Sequence, residues 1–593
     1  MQIYEFFYMF GKTQNFIYFC GMYSKKWMVK PTPDATVIEH LKEVLGVDGL
    51  LSVLLVQRGI KDFENAKIFF RPAYEHLHDP FLMKDMQRAT DRIIHAIRNR
   101  ENIMIYGDYD VDGTTSVAMV YSFLKKIYPN VDYYIPDRYT EGYGVSCKGI
   151  DVAVAGNFRL MISLDCGIKS IEKIKYANSK GIDFIVCDHH YPGPELPPAF
   201  AILNPKRAGC NYPYKELSGC GVGFKMLQAF ARKYAIPVEE VYEYIDLVAV
   251  SIASDIVQMN GENRVLESLG IRKLNKNPSM GLKSIVRISG MDSSQIQVED
   301  IVFKIGPRIN AAGRMKSGKH AVELLISEDE KIARTAGVEI DRFNTDRKNI
   351  DSDITCQALR MLAADPEAEF RRTTVLYNPS WHKGVVGIVA SRLIETYYRP
   401  TAILTESNGY ATGSARSVEG FDLYKAIDSC SDLLENFGGH MFAAGLTMKT
   451  ENVEAFRRRF EEVVAETITD EQLEPNILID AEIGFSQITP KLVRILKQFQ
   501  PFGPQNMSPV FLTRNVADTG AARMVGKCGE HLKLDLVQAG HPGIIFPAIG
   551  FQLSEYYPIV RSGASFDVCY SIEENTFKGE TRIQLQVRGI RNR

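Results

Sequence analysis

Apolar residues between positions 38 and 100 recur at helical spacing: Leu41, Val44 and Leu45, then Leu51, Val53, Leu54 and Leu55, then a stretch from Met86 to Arg98. From about 101 to 260 the pattern changes. Short apolar runs at Ile103–Tyr106, Leu160–Leu164 and Phe184–Val186 alternate with helical ones at Ser116–Ile127 and Ile171–Asn178. Strand–helix alternation of this kind predicts an α/β fold with a mostly parallel sheet and helices on both faces. In such folds the chemistry gathers at the carboxyl ends of the strands.

The stretch 328–365 interleaves Arg342, Asp346, Arg347 and Lys348 with Ile340, Phe343, Ile350 and Ile354, which predicts a long connecting helix. A second, smaller α/β unit follows, opening with the strand-like Thr373–Tyr377 and holding a Gly-rich tract. Towards the end Arg582, Ile583, Gln584, Leu585, Gln586, Val587 and Arg588 alternate with period two, as expected of a small terminal β-barrel. The expected partition is an N-terminal extension over 1–37, a helical region over 38–100, a parallel-sheet domain over 101–290, a connector over 291–365, a second α/β domain over 366–465 and a barrel over 466–593.

Composition narrows the class. A chain of 593 residues exceeds what one hydrophobic core supports, and 45% apolar with 24% charged residues describes an ordered globular protein. The net charge of −2 leaves no global basic footprint, so any nucleic-acid contact must come from local patches. Ten cysteines without a Cys-x-x-Cys pair argue against a zinc ribbon or a disulfide framework and fit a reducing cytoplasm, with Cys166 and Cys187 read as buried structural thiols. The aromatic-rich start (Phe6, Phe7, Tyr8, Phe10, Phe16, Tyr18, Phe19) lacks the plan of a signal peptide, and translation is expected to begin at Met22 or Met28. No segment reaches the ~18 apolar residues of a membrane span.

The sharpest chemical signal is Gly107-Asp108-Tyr109-Asp110-Val111-Asp112-Gly113, which follows an apolar strand and precedes a helix expected to begin near Thr114. Carboxylates at alternate loop positions converge, and hard divalent cations want such oxygen ligands. A solvated acidic turn or a calcium loop would read the same way alone. Asp165 lies just beyond the next apolar strand, and Asp188-His189-His190 beyond another. Three successive strand ends delivering Asp or His make a cluster, and imidazole with carboxylate suits manganese better than calcium. Asp255, after the apolar run Leu247–Ile252, is a fourth acidic contribution or simply a helix-terminal Asp.

The order GDYDVDG, LDCG, DHH and SDIV resembles the four motifs of the DHH phosphoesterase superfamily, whose members hold two divalent ions. The resemblance implies two divalent cations, Mn2+ or Mg2+, held by Asp110, Asp112, Asp165, His189 and Asp255, with Asp165 bridging. It places Asp108, Asp188 and His190 in the catalytic surroundings as ligand support or transition-state contacts, without separating those roles.

In the second unit, Trp381 to Ala390, Gly413-Ser414-Ala415-Arg416-Ser417 and Gly438-Gly439-His440 resemble the DHHA1 substrate domain. Glycines allow close backbone approach to phosphate, and Ser, His and Arg supply donors. Gly306-Pro307-Arg308-Ile309-Asn310-Ala311-Ala312-Gly313-Arg314 resembles a signature of the RecJ exonucleases within the superfamily. So does Asp137-Arg138-Tyr139-Thr140-Glu141-Gly142-Tyr143-Gly144, where Asp137 stands in place of the usual Asn. Pro501-Phe502-Gly503-Pro504-Gln505-Asn506 resembles the start of their oligonucleotide-binding (OB) barrel.

The family architecture is then a DHH domain joined by a long helix to a DHHA1 domain, with a C-terminal OB barrel. The implied substrate contacts are Arg138, Arg308, Asn310, Arg314, His382, Ser414, Arg416, Gly438, Gly439 and His440. The implied activity is 5′ to 3′ hydrolysis of single-stranded DNA to mononucleotides in repair and recombination, by a cytoplasmic monomer. A helicase and a single-strand-binding protein would assist, and a passage between the two α/β units would exclude duplex. Arg582, Arg588, Arg591 and Arg593 either track a phosphate backbone or form a solvated sheet face. The rival readings are a DHH oligoribonuclease or cyclic-dinucleotide phosphodiesterase, and a non-catalytic DNA-binding scaffold. The terminal barrel speaks against the first, and the filled Asp and His positions against the second.

Overall fold

The computed structural model describes residues 25–577 and 580–592; the aromatic N-terminal segment, Met22 with it, and Arg593 lie outside them. The chain divides into two compact units. One is Pro33–Thr345 with Lys497–Ser508, and the other joins the segment up to Thr32 to Asp346–Leu496 and Pro509–Arg593. Strand β1 (Lys26–Val29) belongs to the latter.

The first unit opens with helices α1 (Ala35–Leu45), α2 (Gly49–Val56), α3 (Phe63–Phe70) and α4 (Met86–Arg98). Asp34, Asp48 and Asp62 cap the first three by accepting backbone N–H bonds. A wholly parallel sheet follows, made of β2 (Asn102–Gly107), β3 (Val131–Tyr134), β4 (Phe158–Leu164), β5 (Asp183–Cys187) and β6 (Ala201–Leu203) in the order β3-β2-β4-β5-β6.

Both faces of this sheet are covered, which is why its strands read as continuous apolar runs. Ile103, Ile105, Leu160, Ile162 and Ile185 pack into one core with α5 (Val111–Ile127), α6 (Gly219–Lys233) and α7 (Ile245–Ser254). The alternate residues Met104, Tyr106, Met161, Phe184 and Val186 pack into a second core on the opposite face with Ile150, Ile174 and Ala177. Further on stand α8 (Gly261–Lys276), α9 (Gly306–Met315) and α10 (Glu330–Ala363), the last being the expected long helix.

One expectation is corrected here. Helix α5 begins at Val111 rather than near Thr114, because Asp110 accepts the Gly113 N–H at 3.0 Å and caps it three residues earlier. The segment Pro501 to Asn506, which leads into the sheet of the barrel, groups by its contacts with the first unit. Arg264 of α8 donates to the carbonyls of Phe69, Gln498, Phe499, Gln500 and Pro501 and lies 3.7 Å over the Phe69 ring. A buried guanidinium needs acceptors, and this loop turns its carbonyls inward to supply them.

In the second unit β7 (Thr374–Tyr377) and β8 (Thr401–Ser407) run parallel, followed by antiparallel β9 (Tyr410–Arg416), β10 (Asn436–His440) and β11 (Ala443–Lys449) in the order β10-β11-β9-β8-β7. Helix α11 (Val386–Thr396) packs on β8 and β9. Strand β12 (Asn476–Ile479) pairs in parallel with β1.

A seven-stranded sheet follows: β13 (Ala481–Glu482), β14 (Phe511–Asp518), β15 (Arg523–Val525), β16 (His531–Gln538), β17 (His541–Gly550), β18 (Phe566–Phe577) and β19 (Glu580–Asn592). An additional pairing of β14 with β16 curls it towards a barrel. Alternate residues of β16 (Leu532, Leu534, Leu536) face its core. The basic tail strand is partly engaged with protein: Arg591 lies 4.4 Å over the Trp27 ring and Arg588 bonds Ser571. Among the described residues no helix is long and apolar enough to cross a membrane.

Candidate metal centre

Sheet register builds the centre. Gly107 pairs with Leu164, Leu164 with Cys187, and Cys187 with Leu203, so the next residues in each strand, Asp108, Asp165, Asp188 and Asn204, emerge along one edge. The ladder runs one step further through Asp165 N to Cys187 O (2.9 Å) and Asp188 N to Leu203 O (3.0 Å). Asp110 and Asp112 follow β2 into the start of α5. Asp255 caps the C-terminus of α7.

These elements converge on His189. Its Nε2 lies 3.2 Å from Asp165 Oδ1, 3.5 Å from Asp255 Oδ2 and 3.8 Å from Asp112 Oδ2. Ligand atoms of Asp112, His189 and Asp255 fall within 4.8 Å of one another, and so do those of Asp165, His189 and His190. The two groups share His189, and the residues of each could hold a cation. Asp165 Oδ1, both ring nitrogens of His189 and Asp108 Oδ2 are buried without a hydrogen-bond partner, so the donor set fits divalent cations rather than a self-satisfied polar cluster.

The electrostatics agree. Burial, followed by repulsion from Asp112 and Asp110, pushes the carboxyls of Asp165 and Asp255 well above the usual range. Burial and then Asp110 do the same to Asp108; burial and then Asp112 raise Asp110. Burial and the charge of His190 lower His189 to about 4, leaving a neutral imidazole with one nitrogen lone pair to give. For His190, burial works downward, but the Asp188 carboxylate at 2.8 Å from Nδ1 outweighs it and raises the ring to about 9. Burial would raise Asp188, yet the bond from His190 and the charge on that ring hold it below its ordinary value.

His190 therefore differs from its neighbour. Its side chain is 39% exposed against 8% for His189, and its Nδ1 is committed to Asp188. Its Nε2 lies 3.3 Å from the Tyr143 hydroxyl. That hydroxyl donates to the Asp165 carbonyl at 3.2 Å, so its oxygen is left to accept from His190 in the imidazolium form.

Glycine makes the close approach possible. A Cβ at Gly113 would stand 2.4 Å from the Asp108 carbonyl oxygen, and one at Gly219 would stand 2.6 Å from Asp165 Cβ. With Gly219 bare, the start of α6 reaches Asp112. Gly219 N–H donates to its Oδ2 at 2.6 Å and Cys220 N–H to its Oδ1 at 2.7 Å. Ser251 Oγ adds a third bond to Oδ1 at 2.7 Å.

The candidate substrate residues fall in both units. In the first, Arg138 lies 4.1 Å over the Tyr109 ring, and the Tyr139 hydroxyl bonds the Arg314 carbonyl. Arg308 is engaged with Asp341 (2.9 Å) and the Lys304 carbonyl (2.8 Å), while Asn310 keeps a buried Oδ1 without a partner. Asp137 Oδ1 accepts from Tyr139 N and Thr140 N, the turn an Asn would also make. In the second unit, Gly438 pairs with Gly445 and Gly445 with Ser414; His440 pairs with Ala443 and Ala443 with Arg416. The glycine-histidine motif and the Ser–Arg pair thus share adjacent rows of one sheet, with Arg416 Nη1 2.5 Å from Ser414 Oγ. The Gly384 N–H donates to His382 Nδ1 at 3.2 Å beside the start of α11.

Residues 102–252 match the DHH family, N-terminal domain; 372–466 match the DHHA1 domain and 479–589 the RecJ OB domain. The chain is 36% identical over 565 residues to the single-stranded-DNA-specific exonuclease RecJ of Bacillus subtilis, covering 95% of this chain and 70% of that protein. It is 31% identical over 531 residues to RecJ of Escherichia coli, covering 86% and 90%. The chain belongs to the RecJ family. In three dimensions it is similar to the crystal structure of RecJ in complex with Mn2+ from Thermus thermophilus, with a TM-score of 0.81, 26% identity and coverage of 96% of this chain and 80% of that one. A second crystal structure, exonuclease RecJ bound to manganese, matches at 31% identity and a TM-score of 0.57 over 65% of this chain and 96% of that one.

Several residues that complete this RecJ centre carried no signal of their own in the sequence. Ser251, Gly219 and Cys220 reach Asp112 from helices more than a hundred residues away, and Asn204 donates to the His190 carbonyl at 2.9 Å. Tyr143 lies inside the motif Asp137 to Gly144, whose spacing assigns it no role. A polar residue directly after β6 was the one legible hint, since it occupies the same strand-end row as the acids.

Proposed function

We propose that the chain is a single-stranded-DNA-specific exonuclease that removes mononucleotides from the 5′ end by hydrolysis at the His189-centred cluster. The observation that carries this reading is the convergence of Asp112, Asp165, Asp255 and the neutral His189 on one point, where Asp165 Oδ1 and both ring nitrogens of His189 are buried without a hydrogen-bond partner. Asp110, Asp112, Asp165, His189 and Asp255 would hold two divalent cations, Mn2+ or Mg2+. Bound there, such ions lower the pKa of water and neutralise charge on a phosphodiester.

The chain's own residues supply the rest. Asp112, fixed by three donors, cannot swing away from the cluster. His190, charged and more open to solvent, sets its positive charge where the strand enters. That charge stabilises the 3′ oxygen of the terminal nucleotide as its bond to phosphorus breaks and the attacking water's oxygen forms the new one, the water's proton passing to solvent and the 3′ oxygen taking its proton from solvent. Asp108 and Arg138 stand beside it as support. Ser414, Arg416 and the Gly438–His440 end of β10 bind the phosphate of the nucleotide being released, and Arg308, Asn310, Arg314 and His382 serve the strand. The barrel holds the single strand beyond the site. The protein works in the cytoplasm as a monomer, beside a helicase and a single-strand-binding protein.

Digestion of single-stranded DNA labelled at either end, with a dinucleotide and a blunt duplex in parallel, tests this. The expected result is early release of labelled mononucleotide from the 5′ end alone, with little cleavage of the dinucleotide or the duplex. Early release from the 3′ end, or preference for the dinucleotide, would overturn it.

A further inference from the structure

The loop between β3 and the helix Cys147–Ala155 is tied to the sheet at several points. The Tyr106 hydroxyl donates to the Gly144 carbonyl at 2.9 Å and accepts from Ser146 N–H at 3.1 Å; Gly144 N–H reaches Asp108 Oδ1 at 3.4 Å. The Glu141 carboxylate accepts from the Tyr134 hydroxyl, from Asp137 N–H and from Ser146 Oγ. A loop with this many internal bonds holds Tyr143, which stands between Gly142 and Gly144, in place.

Tyr143 is 55% exposed, yet its hydroxyl is turned inward between the Asp165 carbonyl (3.2 Å) and His190 Nε2 (3.3 Å). Both partners need fixing. Asp165 has φ +60°, a left-handed backbone that is unfavourable for a non-glycine residue. It keeps that conformation with its amide on Cys187 and its carbonyl on Tyr143. The His190 ring has Asp188 on one nitrogen and Tyr143 on the other, which sets its plane.

We infer that Tyr143 is a positioning residue for the reaction: through one hydroxyl it locks the backbone of Asp165 and the ring of His190 in a single arrangement. The inference rests on the hydrolytic reading above. Its effect falls on turnover rather than on strand binding, because the phenolic oxygen already has both its partners inside the protein.

The test compares wild type with Tyr143→Phe and Tyr143→Ala in manganese-dependent hydrolysis of single-stranded DNA, with Asp165→Ala alongside. The account expects kcat of Tyr143→Phe to fall about tenfold or more, the usual scale for removing such a supporting contact, with KM within about twofold of wild type. Tyr143→Ala should lose at least as much kcat, because both variants lack the hydroxyl. Wild-type kcat in Tyr143→Phe, or a change confined to KM, would overturn the inference. Should Asp165→Ala itself stay active, the hydrolytic reading would fail instead, so the two failures are distinguishable.

Discussion

Ser251 donates its hydroxyl to Asp112 Oδ1 at 2.7 Å, across a separation of 139 residues. Together with Gly219 and Cys220 it fills the acceptor sites of Asp112 that face the protein, which leaves the carboxylate aimed at His189. Replacing Ser251 with Ala removes one of the two donors on that oxygen, the Cys220 N–H remaining, without enlarging any side chain. The expected result is a tenfold or so rise in the manganese concentration for half-maximal activity, in the range of about 10–100-fold known for contacts behind metal ligands. A manganese titration of the variant against wild type reads it directly.

Arg264 ties residues 498–501 to α3 and α8 through carbonyl contacts and its stack on Phe69. Arg264→Ala leaves several buried carbonyls without a donor, at about 1–3 kcal/mol for each one that water cannot reach. Residues 497–508 should then exchange their amide hydrogens faster while the parallel sheet keeps its protection. Hydrogen exchange by mass spectrometry distinguishes this from general unfolding.

Glu267, on α8, is fully buried and neither carboxyl oxygen has a partner; burial raises its pKa well above the glutamate value of 4.5. A carboxyl whose folded pKa is raised stabilises the fold fully at pH below about 4.5, and that stability is lost as pH rises through the folded value. Glu267→Gln keeps the neutral shape at every pH. Its thermal midpoint should exceed that of wild type at pH 8, with the gap narrowing as pH falls towards 5. Paired thermal scans at the two pH values check it, and equal midpoints at pH 8 would refute it.

Much of the fold and the acidic cluster were legible because their signals are local. Apolar runs that end in Asp108, Asp165 and Asp188 announce both a strand and what it delivers, and the register of a parallel sheet then brings those residues together. Asp255 was ambiguous, and only the packing of α7 beside the sheet turns a helix-terminal Asp towards His189. Contacts between distant segments left no trace in spacing: Ser251 looks like any helical serine, and Tyr143 like any loop tyrosine. The same holds for Pro501 to Asn506, whose neighbours along the chain form the barrel while its carbonyls answer to Arg264 in the other unit. The start of α5 was misplaced because a capping Asp and a ligand Asp look alike in sequence, and Asp110 is the cap.

The central claim is that the His189-centred cluster performs metal-dependent hydrolysis of single-stranded DNA. The most direct measurement is mononucleotide release by Asp165→Ala in manganese, made together with its affinity for the same strand. The account predicts no detectable release with strand affinity within a few-fold of wild type. Turnover at the wild-type rate in that variant would contradict it.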